Sequence, residues 1–221
     1  MFDLDIQQIA ITIPFLLLGL TAHEYAHAWM AYRLGDPTAA KKGRLSFNPF
    51  KHLDPVGTIV LLLTNFIGWA KPVPVDLRYF RNPARDMSLV AVAGPLANFS
   101  LAALLAIGLR LDIFWGLIFS HLPESLAQPL ILMFLSGFMI NLGLSIFNLL
   151  PLPPLDGFNV LSFFLPPLVA DNLRRFSQLS FIVLIVLMAT GALGRIIGPI
   201  FFFFGRLLLG ERFKILFDLG A

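Results

Sequence analysis

The N-terminal apolar stretch of this chain is long enough to cross a membrane, yet it contains a row of ionisable side chains. It carries no charge from Ile9 to Leu20 and then continues through His23-Glu24-Tyr25-Ala26-His27. A bilayer is crossed by about 20 helical residues, each rising about 1.5 Å. The sequence therefore predicts a spanning helix from Ile6 to Tyr32, with the polar pattern in its C-terminal half.

The composition extends this conclusion to the whole chain. Hydrophobic residues make up 57% of the 221 residues and charged residues only 13%, whereas soluble domains carry about a quarter charged residues. We therefore expect an all-α integral membrane protein, a multi-pass helical bundle that forms one membrane-embedded domain over residues 1–221 within the lipid bilayer. Met1 to Gln8 is acidic and lacks a small-residue cleavage site, so we expect the first apolar stretch to be retained.

Basic residues are concentrated in the connection that follows the first helix. Residues 33–85 contain nine Lys or Arg residues and three acidic residues. By the positive-inside rule this connection lies in the cytoplasm, which places the N-terminus outside. The net charge of +3 therefore reflects membrane topology, and we expect no nucleic-acid partner.

An apolar segment from Val56 to Trp69 interrupts this basic connection. The segment is short for a full span, and a crossing would put the flanking basic residues on opposite sides of the membrane. We therefore expect a re-entrant segment or one that lies in the interface. Prolines occur on both sides of it, in Arg44 to Pro49 and in Lys71 to Val75. Since proline disfavours helix in itself and in the preceding residue, these stretches predict a short β element.

Two further spanning helices are expected, at Met87 to Leu109 and at Pro129 to Leu150, with an external loop over residues 110–128. The third helix leads into Asn148-Leu-Leu-Pro-Leu-Pro-Pro-Leu-Asp156-Gly157, where the prolines must unwind the backbone. C-terminal membrane segments are expected over about residues 177–221. We expect them to be broken at a cluster formed by Gly191, Gly194, Gly198 and Pro199.

The pattern His23-Glu24-Tyr25-Ala26-His27 is typical of a zinc site. Residues four apart share one face of an α-helix, so both imidazoles can bind one metal ion. Glu24 then lies beside the metal, where its carboxylate can take a proton from water. Because the chain has no cysteine, any metal must be held by histidine and carboxylate, and Zn²⁺ is the expected cofactor. The alternative is that neighbouring helices satisfy both histidines.

A catalytic zinc site needs a third protein ligand. Asp156 is the candidate, because it lies between apolar stretches in the unwound segment, and an acid at membrane depth is a functional candidate. The first and third helices run in the same direction, so Asp156 reaches the same inner half of the membrane as the histidines. Asp36 is expected to be a cap or turn residue, and His52 and His121 ordinary surface or interface histidines.

Together these motifs resemble the site-2 protease family of intramembrane zinc metalloproteases. The resemblance rests on the histidine pattern, on the segment from Asn148 to Gly157, and on Ala93-Gly94-Pro95-Leu96-Ala97-Asn98 in the second helix. It covers roughly residues 15–165 and implies a three-helix catalytic core within about residues 6–165. Gly94 and Pro95 also indicate close helix packing or a kink.

The resemblance implies that zinc is held by His23, His27 and Asp156. Glu24 would then be the base, and Asn148 would help to hold the substrate or the oxyanion, unless it forms only a helix–helix hydrogen bond. The family cuts single-pass membrane proteins. The expected function is therefore hydrolysis of peptide bonds in or near the transmembrane segments of such substrates, in regulated intramembrane proteolysis.

The position of the substrate and the setting of the reaction can also be predicted. An unwound substrate could add as a strand to Lys71, Pro72, Val73, Pro74 and Val75. We expect a prokaryotic cell membrane, with the active site toward the cytoplasmic side, and a minimal member without a PDZ or CBS domain. A membrane zinc transporter and an inactive substrate-binding relative are the alternative functions, and the sequence leaves the oligomeric state open.

Overall fold

The computed structural model describes residues 6–64, 68–214 and 216, and this part of the chain is predominantly helical. Short 3₁₀ turns cover Pro49–Lys51 and Leu77–Tyr79. The α-helices among these residues are α1 (Ile6–Arg33), α2 (Thr38–Lys41), α3 (Pro55–Thr64), α4 (Pro83–Arg110), α5 (Asp112–His121), α6 (Glu124–Asn148), α7 (Asp156–Ser162), α8 (Pro167–Arg175), α9 (Ser177–Ala189) and α10 (Ala192–Leu209).

Four of these helices are long and apolar enough to cross a membrane, namely α1, α4, α6 and α10. Helices α8 and α9 meet the same test together, although they are bent by 61°, and they make a fifth span if the pair counts as one. The protein is therefore a multi-pass membrane protein, as predicted. The predicted external loop over residues 110–128 contains the additional helix α5.

The predicted break at the C-terminal glycine cluster is wrong in its extent. Helix α10 continues through Gly194, Gly198 and Pro199. The break lies only at Gly191, whose φ of 69° is the left-handed conformation that glycine adopts without a steric penalty. The apolar residues after Pro199 consequently belong to one helix of 18 residues.

The apolar segment predicted to enter the membrane without crossing it begins as α3. This helix has only 10 residues, which corresponds to about 15 Å and is too short to cross a bilayer by itself. Residues 65–67, which belong to the same predicted segment, lie outside the described residues. Entry of the segment into the membrane stays a prediction.

The predicted short β element is not found in the described part of the chain. A single isolated antiparallel bridge joins Leu53 to Ala70, and residues 71–76 continue from it in an irregular conformation. Pro72 and Pro74 have no backbone N–H with which to extend a ladder, so the pairing stops after one bridge.

The chain packs as two compact units. The first comprises residues 1–19, 98–147 and 184–221. Its core is apolar, and the largest fully buried side chains of that core are Leu109, Phe138, Leu142, Leu209 and Phe213. In a bilayer such side chains stabilise the bundle through van der Waals packing, because lipid tails are as apolar as the side chains themselves.

Two buried amides connect three spanning helices inside this first unit. Asn98 Nδ2 on α4 donates to the Gly19 carbonyl on α1 and to Asn141 Oδ1 on α6, each across 3.0 Å. Asn141 Nδ2 donates to the Gly137 carbonyl across 2.8 Å. Gly19 must lack a side chain here, because a Cβ atom would lie 2.6 Å from Asn141 Oδ1. Both amides thus have hydrogen-bond partners, as buried polar groups require.

The second unit comprises residues 20–97 and 148–183. It contains the predicted site residues and a small apolar core around Ala31, Phe80 and Val90. The backbone is irregular between the end of α6 and Asp156, which confirms the unwinding predicted from the prolines. The chain turns so tightly there that a Cβ atom on Gly157 would collide with the carbonyl groups of Leu149 and Leu150.

Candidate active site

The two histidines of the N-terminal pattern lie one helical turn apart on α1, and their ring planes are nearly perpendicular, with an interplanar angle of 87°. Their Nε2 atoms are 3.0 Å apart, and both side chains are buried. His27 Nδ1 lies 2.7 Å from the Val90 carbonyl on α4. Because a carbonyl can only accept a hydrogen bond, Nδ1 carries the proton. The Nε2 atom of a neutral His27 is therefore left with the lone pair that binds a metal.

Asp156, the first residue of α7, brings a carboxylate to these imidazoles. Its Oδ2 atom lies 3.1 Å from His23 Nε2 and 3.3 Å from His27 Nε2. All three ligand atoms lie within 4.8 Å of one another. Oδ2 is buried and receives no hydrogen bond from the described residues.

This cluster fits a zinc ion by its chemistry. Two imidazole nitrogens and one carboxylate oxygen are a donor set of catalytic zinc sites, which take three protein ligands and leave a fourth position open. The buried oxygen of Asp156, which has no hydrogen bond, would be costly without a cation beside it. A metal ion bound by the three residues would account both for the close approach of their ligand atoms and for the buried Asp156 oxygen.

Gly94 on α4 provides the space in which the imidazoles lie. A Cβ atom at this position would collide with His27 Nε2 and would lie 2.7 Å from His23 Nε2. The close packing predicted at Gly94 is therefore confirmed, and its partner is the histidine pair itself. Any larger residue would force the two rings to move.

Glu24 is buried next to this cluster but is not one of its three members. Its Oε2 atom accepts a hydrogen bond from the backbone N–H of Val73 across 3.1 Å. The guanidinium Nη2 of Arg44 lies 4.0 Å from the same oxygen. The carboxylate of Glu24 thus stays separate from the three-residue cluster.

Residues 71–76, here termed the strap, are held near Glu24 by buried polar groups. Arg44 Nη2 donates to the Lys71 carbonyl across 2.5 Å, and Nη1 donates to the Pro72 carbonyl across 3.2 Å. At the far end, Asp36 Oδ2 accepts from the N–H of Asp76 across 2.8 Å. The strap is therefore fixed at both ends as well as at Val73.

Electrostatics also order the end of the strap. Hydrogen bonds from Arg78 hold the pKa of Asp76 at about 2, well below its usual value. The ionised carboxylate accepts the N–H of Arg78 and caps the 3₁₀ turn at Leu77–Tyr79. The strap thus ends in a fixed turn at the surface.

The structure also gives the positions of the other residues considered in the sequence, and one of them differs from its prediction. Asn148 is the last residue of α6 and is half-buried. Asp36 is a turn residue as expected, since its Oδ1 accepts from Thr38 N–H across 2.8 Å, and His121 is exposed. The expectation for His52 is wrong, because this side chain is fully buried and its Nε2 lies 2.7 Å from the Ser46 carbonyl.

Sequence reasoning missed Arg44 and the second contact of Asp36. Both residues act on the strap, which lies far from them in sequence. Nothing in the local pattern around either residue indicates burial, and charged residues in a basic loop are ordinarily solvated. The proline-rich composition of residues 71–76 was the one available signal, since a segment without regular secondary structure must find other hydrogen-bond partners.

Three curated relatives are similar to this chain over most of its length. The chain is 42% identical over 175 residues to "Putative zinc metalloprotease YwhC" of Bacillus subtilis (strain 168), covering 79% of this chain and 78% of the relative. It is 34% identical over 190 residues to "Putative zinc metalloprotease Rip2" of Mycolicibacterium smegmatis, covering 81% and 66%. It is 30% identical over 197 residues to the protein of the same name in Mycobacterium tuberculosis (strain H37Rv), covering 85% and 70%.

No protein-family model matches the chain, and no solved structure matches it. The identity and coverage of the curated relatives nevertheless assign the family. The chain belongs to the site-2 protease family of intramembrane zinc metalloproteases. Its cofactor is Zn²⁺, in agreement with the cluster of two histidines and one aspartate.

Proposed function

We propose that this protein is an intramembrane zinc endopeptidase. It hydrolyses peptide bonds in or near the transmembrane segments of single-pass membrane proteins, in regulated intramembrane proteolysis. The observation that carries the proposal is the convergence of His23, His27 and Asp156 on one point beside Glu24, at the end of a membrane-spanning helix.

In the proposed mechanism, His23, His27 and Asp156 hold the metal. Zinc held there would supply a Lewis acid that polarises the scissile carbonyl and lowers the pKa of water toward about 7. Glu24 accepts the proton of the attacking water and delivers it to the leaving nitrogen. The burial of Glu24 favours this role, since few water molecules compete for its carboxylate.

Asn148 is proposed to stabilise the developing oxyanion with its side-chain amide. Its position supports this role, because it is the last helical residue before the unwound segment that leads to Asp156. A hydrogen-bond donor in such a position contributes about 10²–10³ in rate.

The strap is proposed to receive the unwound substrate along Lys71 to Val75. In the described part of the chain, the C=O of Val73 and the N–H and C=O of Val75 make no hydrogen bond. These groups can pair with an extended peptide as a strand edge does. The N–H of Val73 already donates to Glu24, so it is not one of the groups available to the substrate.

The active site is proposed to face the cytoplasmic side of a bacterial cell membrane. Trp29 and Tyr32 are exposed near the C-terminal end of α1, and the guanidinium of Arg33 lies 5.5 Å from the Trp29 ring centroid. Aromatic and basic residues of this kind mark a membrane interface. His23 lies six residues earlier than Trp29, which is about 9 Å deeper along the helix.

The same geometry argues against the two alternative functions. A zinc transporter would distribute its ligands along a path, whereas those found among the described residues converge at one point. An inactive relative is expected to lack Glu24 or a ligand, and this chain retains all of them.

The test compares purified wild-type protein with Glu24→Gln in liposomes. Zinc per chain and cleavage of candidate single-pass proteins are measured in parallel. Retained zinc with cleavage reduced by about 10²-fold or more supports the mechanism, since removal of a general base costs that much. Undiminished cleavage by Glu24→Gln would remove Glu24 as the base.

A further inference from the structure

Arg44 is a buried cation whose donors point at backbone carbonyls. Its side chain is only 8% exposed. A guanidinium is retained in such surroundings only when polar partners compensate for its lost hydration. Here the partners are the consecutive carbonyl oxygens of Lys71 and Pro72, with the carboxylate of Glu24 at 4.0 Å.

The planar guanidinium group suits this task better than any other cation. It presents several N–H donors in a fixed fork, so it can hold two adjacent oxygens in one relative position. The ammonium of lysine is a point charge on a flexible stem and imposes no such geometry. The fork therefore defines the course of the strap at residues 71–72.

The next N–H along the strap is that of Val73, which donates to Glu24 Oε2 across 3.1 Å. Once Arg44 fixes the two preceding carbonyls, this N–H is aimed at the carboxylate. We propose that Arg44 is a positioning residue that orients Glu24 through the strap and its Val73 N–H. The inference rests on the proposed function, in which Glu24 is the general base.

The Glu24 carboxylate is therefore held by a hydrogen bond at only one of its two oxygens. Glu24 Oε2 is held by Val73 N–H, while Oε1 makes no hydrogen bond with the described residues. Without Arg44 the strap can shift, and Glu24 then loses its fixed orientation. A displacement of about 1 Å in a reacting group can lower the rate about 10²-fold.

Asp36 supplies a matched control for a loosened strap. It holds the other end of the same segment through Asp76 N–H and does not contact Glu24. Asp36→Asn preserves size but weakens this attachment. If Arg44 mattered only for folding of the strap, substitutions at the two ends would have similar effects.

The first test measures kcat, KM, zinc per chain and thermal stability for Arg44→Met, Arg44→Lys and Asp36→Asn. Both Arg44 variants are expected to keep zinc and to lose kcat about 10- to 100-fold. Asp36→Asn is expected to lose much less. Wild-type kcat in Arg44→Lys would overturn the role of the fork, and equal losses at Arg44 and Asp36 would overturn positioning.

The second test removes the donor itself and does not depend on how Arg44 variants fold. Val73 precedes Pro74 and is therefore already restricted to extended backbone, a conformation that proline also adopts, so Val73→Pro deletes the N–H and places the ring Cδ where that hydrogen pointed at Glu24. Val73→Ala shortens the side chain but keeps the N–H. The expected result is a kcat at least about tenfold lower in Val73→Pro than in Val73→Ala, with similar KM.

The outcomes separate this inference from the function on which it rests. Wild-type protein that binds zinc but cleaves no membrane substrate would refute the proposed function. Wild-type protein that cleaves, together with equal kcat in Val73→Pro and Val73→Ala, would overturn the positioning role alone. A raised KM with unchanged kcat in Val73→Pro would also overturn it, since the N–H would then serve the substrate.

Discussion

His27 on α1 donates its Nδ1 hydrogen to the carbonyl of Val90 on α4, across 2.7 Å. This bond fixes both the tautomer and the orientation of the ring, which is the usual task of the outer partners of a metal-binding histidine. It also requires the two helices to lie close together. That closeness is possible because Gly94, one turn further along α4, has no side chain.

Gly94→Ala is therefore expected to damage the metal site while leaving the helices intact. The added methyl group would overlap His27 Nε2 and Cε1, so the ring must rotate away from its Val90 partner. Loss of such an outer contact typically weakens metal binding about 10- to 100-fold. Zinc titration of the metal-free protein, with circular dichroism for helix content, measures both expectations.

Gly143→Ala is the matched control for that substitution. Gly143 also lies inside a spanning helix, but a Cβ atom there would meet nothing within 4 Å. Wild-type zinc affinity in both glycine variants would contradict the close approach of α4 to the histidines.

Asp156→Ala is expected to lower zinc content without unfolding the protein. The substitution removes the proposed third ligand and also removes a buried oxygen that has no hydrogen bond from the described residues, so the metal-free fold loses little. Metal analysis after dialysis and thermal denaturation in detergent give the two readouts. Asp171→Ala on α8 is the control, because this acidic residue is exposed. Equal zinc content in both variants would exclude Asp156 as a ligand.

The convergence of His23, His27 and Asp156 was predictable from sequence, because these residues are either close in sequence or of a type that is unusual in an apolar stretch. The spacing of His23 and His27 places them on one helix face wherever the helix lies. Asp156 stands out as an acid in an apolar, proline-rich stretch. Neither argument needed knowledge of how the helices pack.

The anchoring of the strap and the start of the last helix were not predictable, because both depend on tertiary structure. The partners of the buried Arg44 are the carbonyls of residues 71–72, which lie 27 and 28 residues further along the chain. Glycine permits a helix break but does not require one, so Gly191 could not be distinguished from Gly194 and Gly198. His52 was also misjudged, because its side chain is buried and its Nε2 lies 2.7 Å from the Ser46 carbonyl, and no pattern in the sequence indicates this burial.

Asn98→Ala is expected to destabilise the protein through the amide network of α1, α4 and α6. The substitution leaves Asn141 Oδ1 and the Gly19 carbonyl without their donor. Hydrogen bonds between membrane helices contribute about 0.6–1.7 kcal/mol, so a loss of about 1 kcal/mol in the free energy of unfolding is expected. Denaturant titration measures it. The exposed residue Leu104 on the same helix gives the control variant Leu104→Ala, and equal stability of the two variants would contradict the network.

Single cysteines at Lys42 and Arg78 are expected to be labelled from the same, cytoplasmic side of the membrane. Both positions are exposed, and α3 between them is too short to cross. The natural chain has no cysteine, so each engineered thiol reports alone. A membrane-impermeant maleimide applied to right-side-out and inverted vesicles makes the measurement.

The control for this topology is a cysteine at His121, an exposed residue in the connection between α4 and α6. It is expected to be labelled from the opposite side, because α4 separates it from the basic connection. The labelling result also tests whether α1 and α6 cross the membrane in the same direction. If Lys42 and Arg78 were reached from opposite sides, α3 would have to belong to a crossing, and α6 would then run opposite to α1. Asp156 could not lie at the same membrane depth as His23 and His27 in that arrangement. Such a labelling result would therefore contradict both the metal site and the proposed protease mechanism.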